Sequence, residues 1–136
     1  MGWVGLTAAS PAAQAATAGF TLTTAMTTSR EYPQAALLAD GRVLVTGGYG
    51  ISTSEIYNPA NATWSAAGAM TRARYLFSTV LLPNGQILAV GGDDLADGPR
   101  SAETYDPSMG MWMGTAALGL MGSGTLTRMA DGRAIA

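Results

Sequence analysis

Apolar residues in this chain come in short runs, each closed by a turn signal. The stretch LLADGRVLVTGGYG (37–50) returns, edited, as LLPNGQILAVGGDD (81–94). Each copy holds a turn pair, a short apolar run and a double glycine. Short apolar runs bounded by turn residues read as strands. Asp40-Gly41 and Asn84-Gly85, each between two such runs, favour the primed two-residue turn of a β-hairpin. Asn58-Pro59 and Asp106-Pro107 fit a type I turn, with a capping side chain first and a proline of preset angle second. One unit therefore reads as four strands: QAALLA, RVLVTGG, TSEIYN and TWSAAGAM.

Aligned on itself, the chain shows a period of 44 to 48 residues. Gly47-Gly48 recurs as Gly91-Gly92, and Asp40-Gly41 as Asn84-Gly85 and Asp131-Gly132. Glu55-x-Tyr57 recurs as Glu103-x-Tyr105, and Trp64 as Trp112. Met26 and Arg30 recur as Met70 and Arg74. Phe20 and Trp64 each stand six residues before the recurring methionine, and Trp112 stands six before Leu118. Repeats of this length mean propellers or other arrays. The double glycine ends the second strand. There it accepts positive φ and its missing side chain lets a neighbouring sheet approach. No helix follows it and no P-loop lysine accompanies it, so it is not a phosphate cradle.

Gly-Gly, a tyrosine after an acidic residue, and a tryptophan at this spacing resemble the Kelch repeat. The wording is most similar to bacterial propellers of the galactose-oxidase-like type, over residues 20–136. The resemblance implies an all-β, Kelch-type β-propeller segment of four-stranded antiparallel blades. Residues 27–70 and 71–118 are two full blades and 119–136 a partial one, after a leader of residues 1–19. It implies that Gly47, Gly48, Tyr57, Trp64, Gly91, Gly92, Tyr105 and Trp112 are structural marks of the repeat. Each aromatic buries ~150–250 Å², about 4–6 kcal/mol of gross transfer energy, without any ligand. In such propellers the blade junctions and the second-to-third-strand loops form one binding face. The contacts implied there are Arg30, Tyr49, Arg72, Arg74, Tyr75, Asp93, Asp94 and Arg100. Arg30 and Arg74 also have a purely structural reading, as braces of adjacent blades through carbonyls or glutamate side chains.

Composition narrows the chemistry. The chain is 48% hydrophobic and 12% charged, with 18 glycines and a net charge of -2. That balance suits strands and tight turns and provides no electrostatic reason for nucleic acid. No run is long enough to span a membrane. There is no cysteine and no histidine, so disulfides, thiol chemistry and the commonest general base are missing. Galactose oxidase and its relatives hold copper with histidines and tyrosines beside a cysteine-linked tyrosine. That site is excluded for this chain as written, although further blades could supply it. Asp93, Asp94 and Asp97 do not match a calcium-loop spacing, and Glu55 and Glu103 are repeat marks rather than a glycosidase pair. Asn61-Ala62-Thr63 matches a glycosylation sequon but is read as part of a turn. No metal and no cofactor are expected.

The leader, MGWVGLTAASPAAQAATAGF, contains AQA, which resembles a signal-peptidase site, though without a basic n-region. An exported protein, secreted, periplasmic or on the cell surface, is expected. Two full units fall short of the 4 to 8 blades of a closed propeller. The chain therefore reads as a fragment of a longer product, as one completed head to tail by its own copies, or as an open array. The expected function is a non-catalytic binding module for an unknown protein or carbohydrate ligand. The alternatives are a fragment of a propeller enzyme whose active residues lie on other blades, and a truncated nonfunctional product. Copper-loaded protein assayed with galactose is expected to yield no peroxide; peroxide formation by the purified chain would contradict this.

Overall fold

The computed structural model describes residues 23–92, 101–115 and 126–135. The four segments expected in each unit are four strands. β1 (Gln34–Leu37), β2 (Val43–Thr46), β3 (Ser54–Asn58) and β4 (Thr63–Ala67) form one antiparallel sheet in chain order. β5 (Ser78–Leu81), β6 (Ile87–Val90), β7 (Ala102–Asp106) and β8 (Met111–Gly114) form a second. β9 (Thr127–Arg128) and β10 (Ala134–Ile135) pair as the start of a third. The fold is all-β, built of blade-type sheets. Among the described residues no helix is long and apolar enough to cross a membrane.

The repeat in sequence is a repeat in register. Val43 faces Tyr57 and Tyr57 faces Trp64; Ile87 faces Tyr105 and Tyr105 faces Trp112. The two ring pairs are nearly superimposable, with centroids 5.1 and 5.3 Å apart and planes at 46° and 47°. Cross-strand aromatic neighbours of this kind set register as well as burying area.

The first hairpins differ from expectation. A primed two-residue turn needs positive φ at its first central residue, and of Asp40-Gly41, Asn84-Gly85 and Asp131-Gly132 the glycines alone have it. Leu38 N donates to Arg42 O and Gly41 N to Leu38 O. This is a three-residue loop, a type I turn closed by a left-handed glycine bulge. The same bonds recur at Leu82–Gln86 and Met129–Arg133. The aspartate or asparagine decides the form: Asp40, Asn84 and Asp131 each accept the backbone N–H two residues on, an Asx turn. The proline turns are as expected at their start, where Asn58 and Asp106 cap Ala60 N and Ser108 N.

The sheets stack face to face. Leu44 and Ile56 of the first sheet meet Ile87, Ala89, Tyr105 and Trp112 of the second, with Leu38, Met70 and Phe77 closing the core. β1 lies beside β5, and β5 beside β9, so the first strands of the units form an inner row. Trp112 Nε1 reaches across to Ser54 Oγ (3.0 Å), which is itself bonded to Thr46 Oγ1 (2.7 Å). Farther out, Gly68 N donates to Gly110 O (3.1 Å), tying β4 to the β7–β8 turn.

The double glycine divides its work. A Cβ on Gly47 would lie 2.7 Å from both Arg74 O and the Phe77 ring, in the next unit. A Cβ on Gly48 would lie 3.1 Å from Glu31 O, in the segment leading into its own unit. Both glycines have positive φ, 69° and 127°. The first glycine admits the neighbour and the second admits the chain's own crossover.

The two tryptophans are equivalent in sequence and unequal in burial. Trp112 is 6% exposed between two sheets. Trp64 is half-buried, and its indole N–H donates to Thr24 O (2.7 Å) in the N-terminal segment. Trp112→Ala is expected to cost about 3–5 kcal/mol, and Trp64→Ala about 1–2 kcal/mol. Denaturant melts of both variants check this; equal losses would contradict the asymmetry.

Candidate functional site

One end of the sheets carries the β2–β3 loop and the two crossovers, residues 23–33 and 68–77. Each crossover is pinned by a buried arginine. Arg30 Nη1 donates to Gly47 O (3.0 Å) and Thr53 O (2.6 Å), while Nη2 donates to Thr53 Oγ1 (3.1 Å) and Glu55 Oε1 (3.2 Å). Arg74 repeats the pattern. Its Nη1 donates to Gly91 O (2.7 Å) and Ser101 O (3.0 Å), and its Nη2 to Ser101 Oγ (2.6 Å) and Glu103 Oε1 (3.0 Å). Arg74 Nε adds a bond to Glu103 Oε1 (3.3 Å). The equivalent Nε of Arg30 is buried without a hydrogen-bond partner.

The glutamates are saturated from the other side. Glu55 Oε2 accepts Thr27 N (2.8 Å) and Thr27 Oγ1 (2.9 Å), and Oε1 accepts Thr28 N (3.1 Å). Glu103 Oε2 accepts Thr71 N (2.7 Å). A planar fork of donors suits this task, and a lysine would not satisfy the same carbonyls. Both arginine side chains are 0% exposed, so they shape the surface loops from beneath. The sequence pattern Met-x-x-x-Arg contains the missing signal: Thr27 and Thr71 recur at the same spacing, and they are the glutamates' partners.

Above the braces, Tyr49 and Tyr75 come together. Their ring centroids are 5.2 Å apart at 70°, edge to face. Tyr49 belongs to the β2–β3 loop of the first unit and Tyr75 to the crossover into the second. Tyr49 is 62% exposed, Tyr75 is half-buried and Arg72 is exposed on the same crossover. Asp93, Asp94 and Arg100 lie outside the described residues, as does Asp97. Tyr32 and Leu76, which sequence reasoning passed over, occupy equivalent positions before β1 and β5. Both are left-handed, with φ of 54° and 53°, and both are well exposed. Positive φ is strained for side chains of this bulk, and the braced crossovers hold it in both units.

The opposite end carries a cleft of about 420 Å³ between the β1–β2, β5–β6 and β7–β8 turns. Its polar groups pair with one another: Arg42 with Asp40, and Gln86 with Asn84 and Asp106. Among the described residues no group of three or more histidine, cysteine, aspartate or glutamate side chains is placed to hold a metal.

No protein-family model and no curated protein matches the chain. Among solved structures it is similar to a fungal alcohol oxidase described as having catalytic diversity within the AA5 family, in complex with copper. That match has a TM-score of 0.53 and 29% sequence identity over 60% of this chain. It covers 18% of that chain, so the present chain spans less than a fifth of that structure's length. Together with the two four-stranded sheets, the likeness supports a propeller, blade-type fold.

The braces predict an acid-sensitive fold. Burial pushes the Glu55 carboxyl up, but the Thr27 amide and hydroxyl, Arg30 and the Thr28 amide outweigh it. The result lies below the ordinary value of 4.5. Asp40 is lowered chiefly by the Arg42 amide, and Asp106 by the Ser108 hydroxyl and amide. A carboxyl depressed by folding stabilises the fold fully above its ordinary pKa. That contribution is lost as pH falls through the lowered value. Glu55→Gln is therefore expected to be less stable than the parent at pH 7, with a flatter fall in stability as pH drops through and below the ordinary value of 4.5. Urea melts across that range check this; parallel curves for the two proteins would contradict it.

Proposed function

We propose that the chain is a segment of a Kelch-type β-propeller, exported and non-catalytic, that binds carbohydrate on its loop face through Tyr49 and Tyr75. One observation carries this reading. The repeat positions of Tyr49 and Tyr75 are filled in the other unit by Asp93 and Glu31. The fold does not require an aromatic at either place. Yet the two rings meet edge to face across the unit boundary, and one stays largely exposed.

Tyrosine combines a large apolar ring with a hydroxyl and has few torsions to freeze, which suits recognition of amphiphilic ligands. A sugar has the matching chemistry: apolar C–H faces and a rim of hydroxyls. The rings stand on loops held by buried ion pairs, so little ordering is required on binding. Arg72 adds a cation at the rim. The similarity to an alcohol oxidase favours a second reading, in which this chain is one part of a larger oxidase-like propeller whose reactive residues lie elsewhere.

A glycan array probed with the purified chain tests the first reading. Tyr49→Ala and Tyr75→Ala are expected to weaken any glycan signal at least about tenfold, the scale of an aromatic hot spot, with thermal midpoints nearly unchanged. No glycan bound, or binding indifferent to both variants, would overturn it.

A further inference from the structure

The β7–β8 turn of the second unit carries Met109 and its outer strand carries Met111 and Met113, and these are exposed by 61%, 53% and 42%. Thioether sulfur is a soft, neutral ligand that selects soft monovalent cations such as copper(I). We propose that these three methionines form a three-sulfur site for a soft monovalent cation on the outer edge of the second blade.

Three observations bring the sulfurs together. Met111 and Met113 are two residues apart on β8, so they share one face, with Cα atoms about 6.6 Å apart. Trp112, between them, points the other way, into the core against Ser54. The direction of Met109 is shown by the first unit. There the equivalent residues of Met109 and Met111 are Asn61 and Thr63, and Thr63 Oγ1 donates to Asn61 Oδ1 at 2.7 Å. Side chains from these two positions therefore meet. Methionine, with three flexible torsions, spans the remaining distances.

Packing does not account for the trio. Asn61, Thr63 and Ser65, the equivalents of the three methionines, are exposed although the second unit is packed beside the first. A following blade thus leaves these positions open to solvent. Polar residues fill them in one unit and methionine fills all three in the other. The expectation of no metal considered nitrogen, thiolate and oxygen ligands, and thioethers lie outside that set. The site is far in chain and sheet position from the tyrosine pair and has no part in the proposed carbohydrate contact.

Silver(I), an air-stable soft cation, is the probe. Titrated into the full chain, it is expected to bind with one equivalent and to shift the methyl resonances of Met109, Met111 and Met113 together, leaving Met129 unmoved. The triple variant Met109→Leu, Met111→Leu, Met113→Leu keeps the size and apolar character of the side chains. It is expected to weaken silver binding by about 100-fold or more, while its thermal midpoint reports an intact fold. Met129→Leu, also exposed, is expected to bind as the parent does. Silver affinity in the triple variant within about twofold of the parent, shifts spread evenly over all exposed methionines, or no binding by the parent would each overturn the site.

Discussion

The ion pair between a crossover arginine and a glutamate on the third strand holds each unit together. Arg30–Glu55 and Arg74–Glu103 are both buried, and neither is a simple pair. Each arginine also caps the carbonyl of a strand-ending glycine and the carbonyl two residues before its glutamate. One side chain thus ties together the end of the second strand, the start of the third and the chain leading into the sheet. Burying two charges costs several kcal/mol, and full hydrogen bonding is needed to offset it. The near-complete partner sets meet that demand. What the pair adds is position: it fixes where a crossover sits when the segment has no regular structure of its own.

The double glycine follows from this constraint. A crossover pressed onto the sheet by an arginine brings backbone carbonyls into contact with the end of the second strand. Arg74 O accepts Gly48 N at 2.8 Å, and Glu31 O accepts Tyr49 N at 2.9 Å. Side chains on Gly47 or Gly48 would block both approaches. The same crossover carries Tyr75 and Arg72 to the surface and sets Tyr75 against Tyr49. The path from sequence to the loop face therefore runs through a buried charge, a bare backbone and then an exposed ring.

Residues that serve the fold were legible because they recur. Tyr57, Trp64, Tyr105 and Trp112 could be read as packing residues; that Tyr57 pairs with Trp64 and Tyr105 with Trp112 across neighbouring strands is seen only in the fold. The hairpin form was not legible, since Asp-Gly begins a primed turn and ends a bulged one with the same letters. The backbone angle at Asp40 and the bonding of Leu38 separate the two. The braces were half legible. Arginines and double glycines repeat at 44 residues and glutamates at 48, so Arg30 and Glu55 carry no shared interval with Arg74 and Glu103. The difference falls in the loop between β6 and β7, and it hides the partnership. The residues offered for recognition behave in the opposite way. Tyr49, Tyr75 and the three outer methionines break the repeat; the tyrosines were legible through the family resemblance, and the methionines, which do not recur, were not.

A double-mutant cycle on Arg74 and Glu103 tests the bracing role most directly. Arg74→Met, Glu103→Gln and the double variant would be unfolded in urea at pH 7. Each single change is expected to be costly, about 3–5 kcal/mol for a broken buried pair. The double variant should recover part of that loss, with a coupling of about 2–3 kcal/mol. Losses that simply add, within about 0.5 kcal/mol, would mean that the two side chains act independently and that something else positions the crossovers.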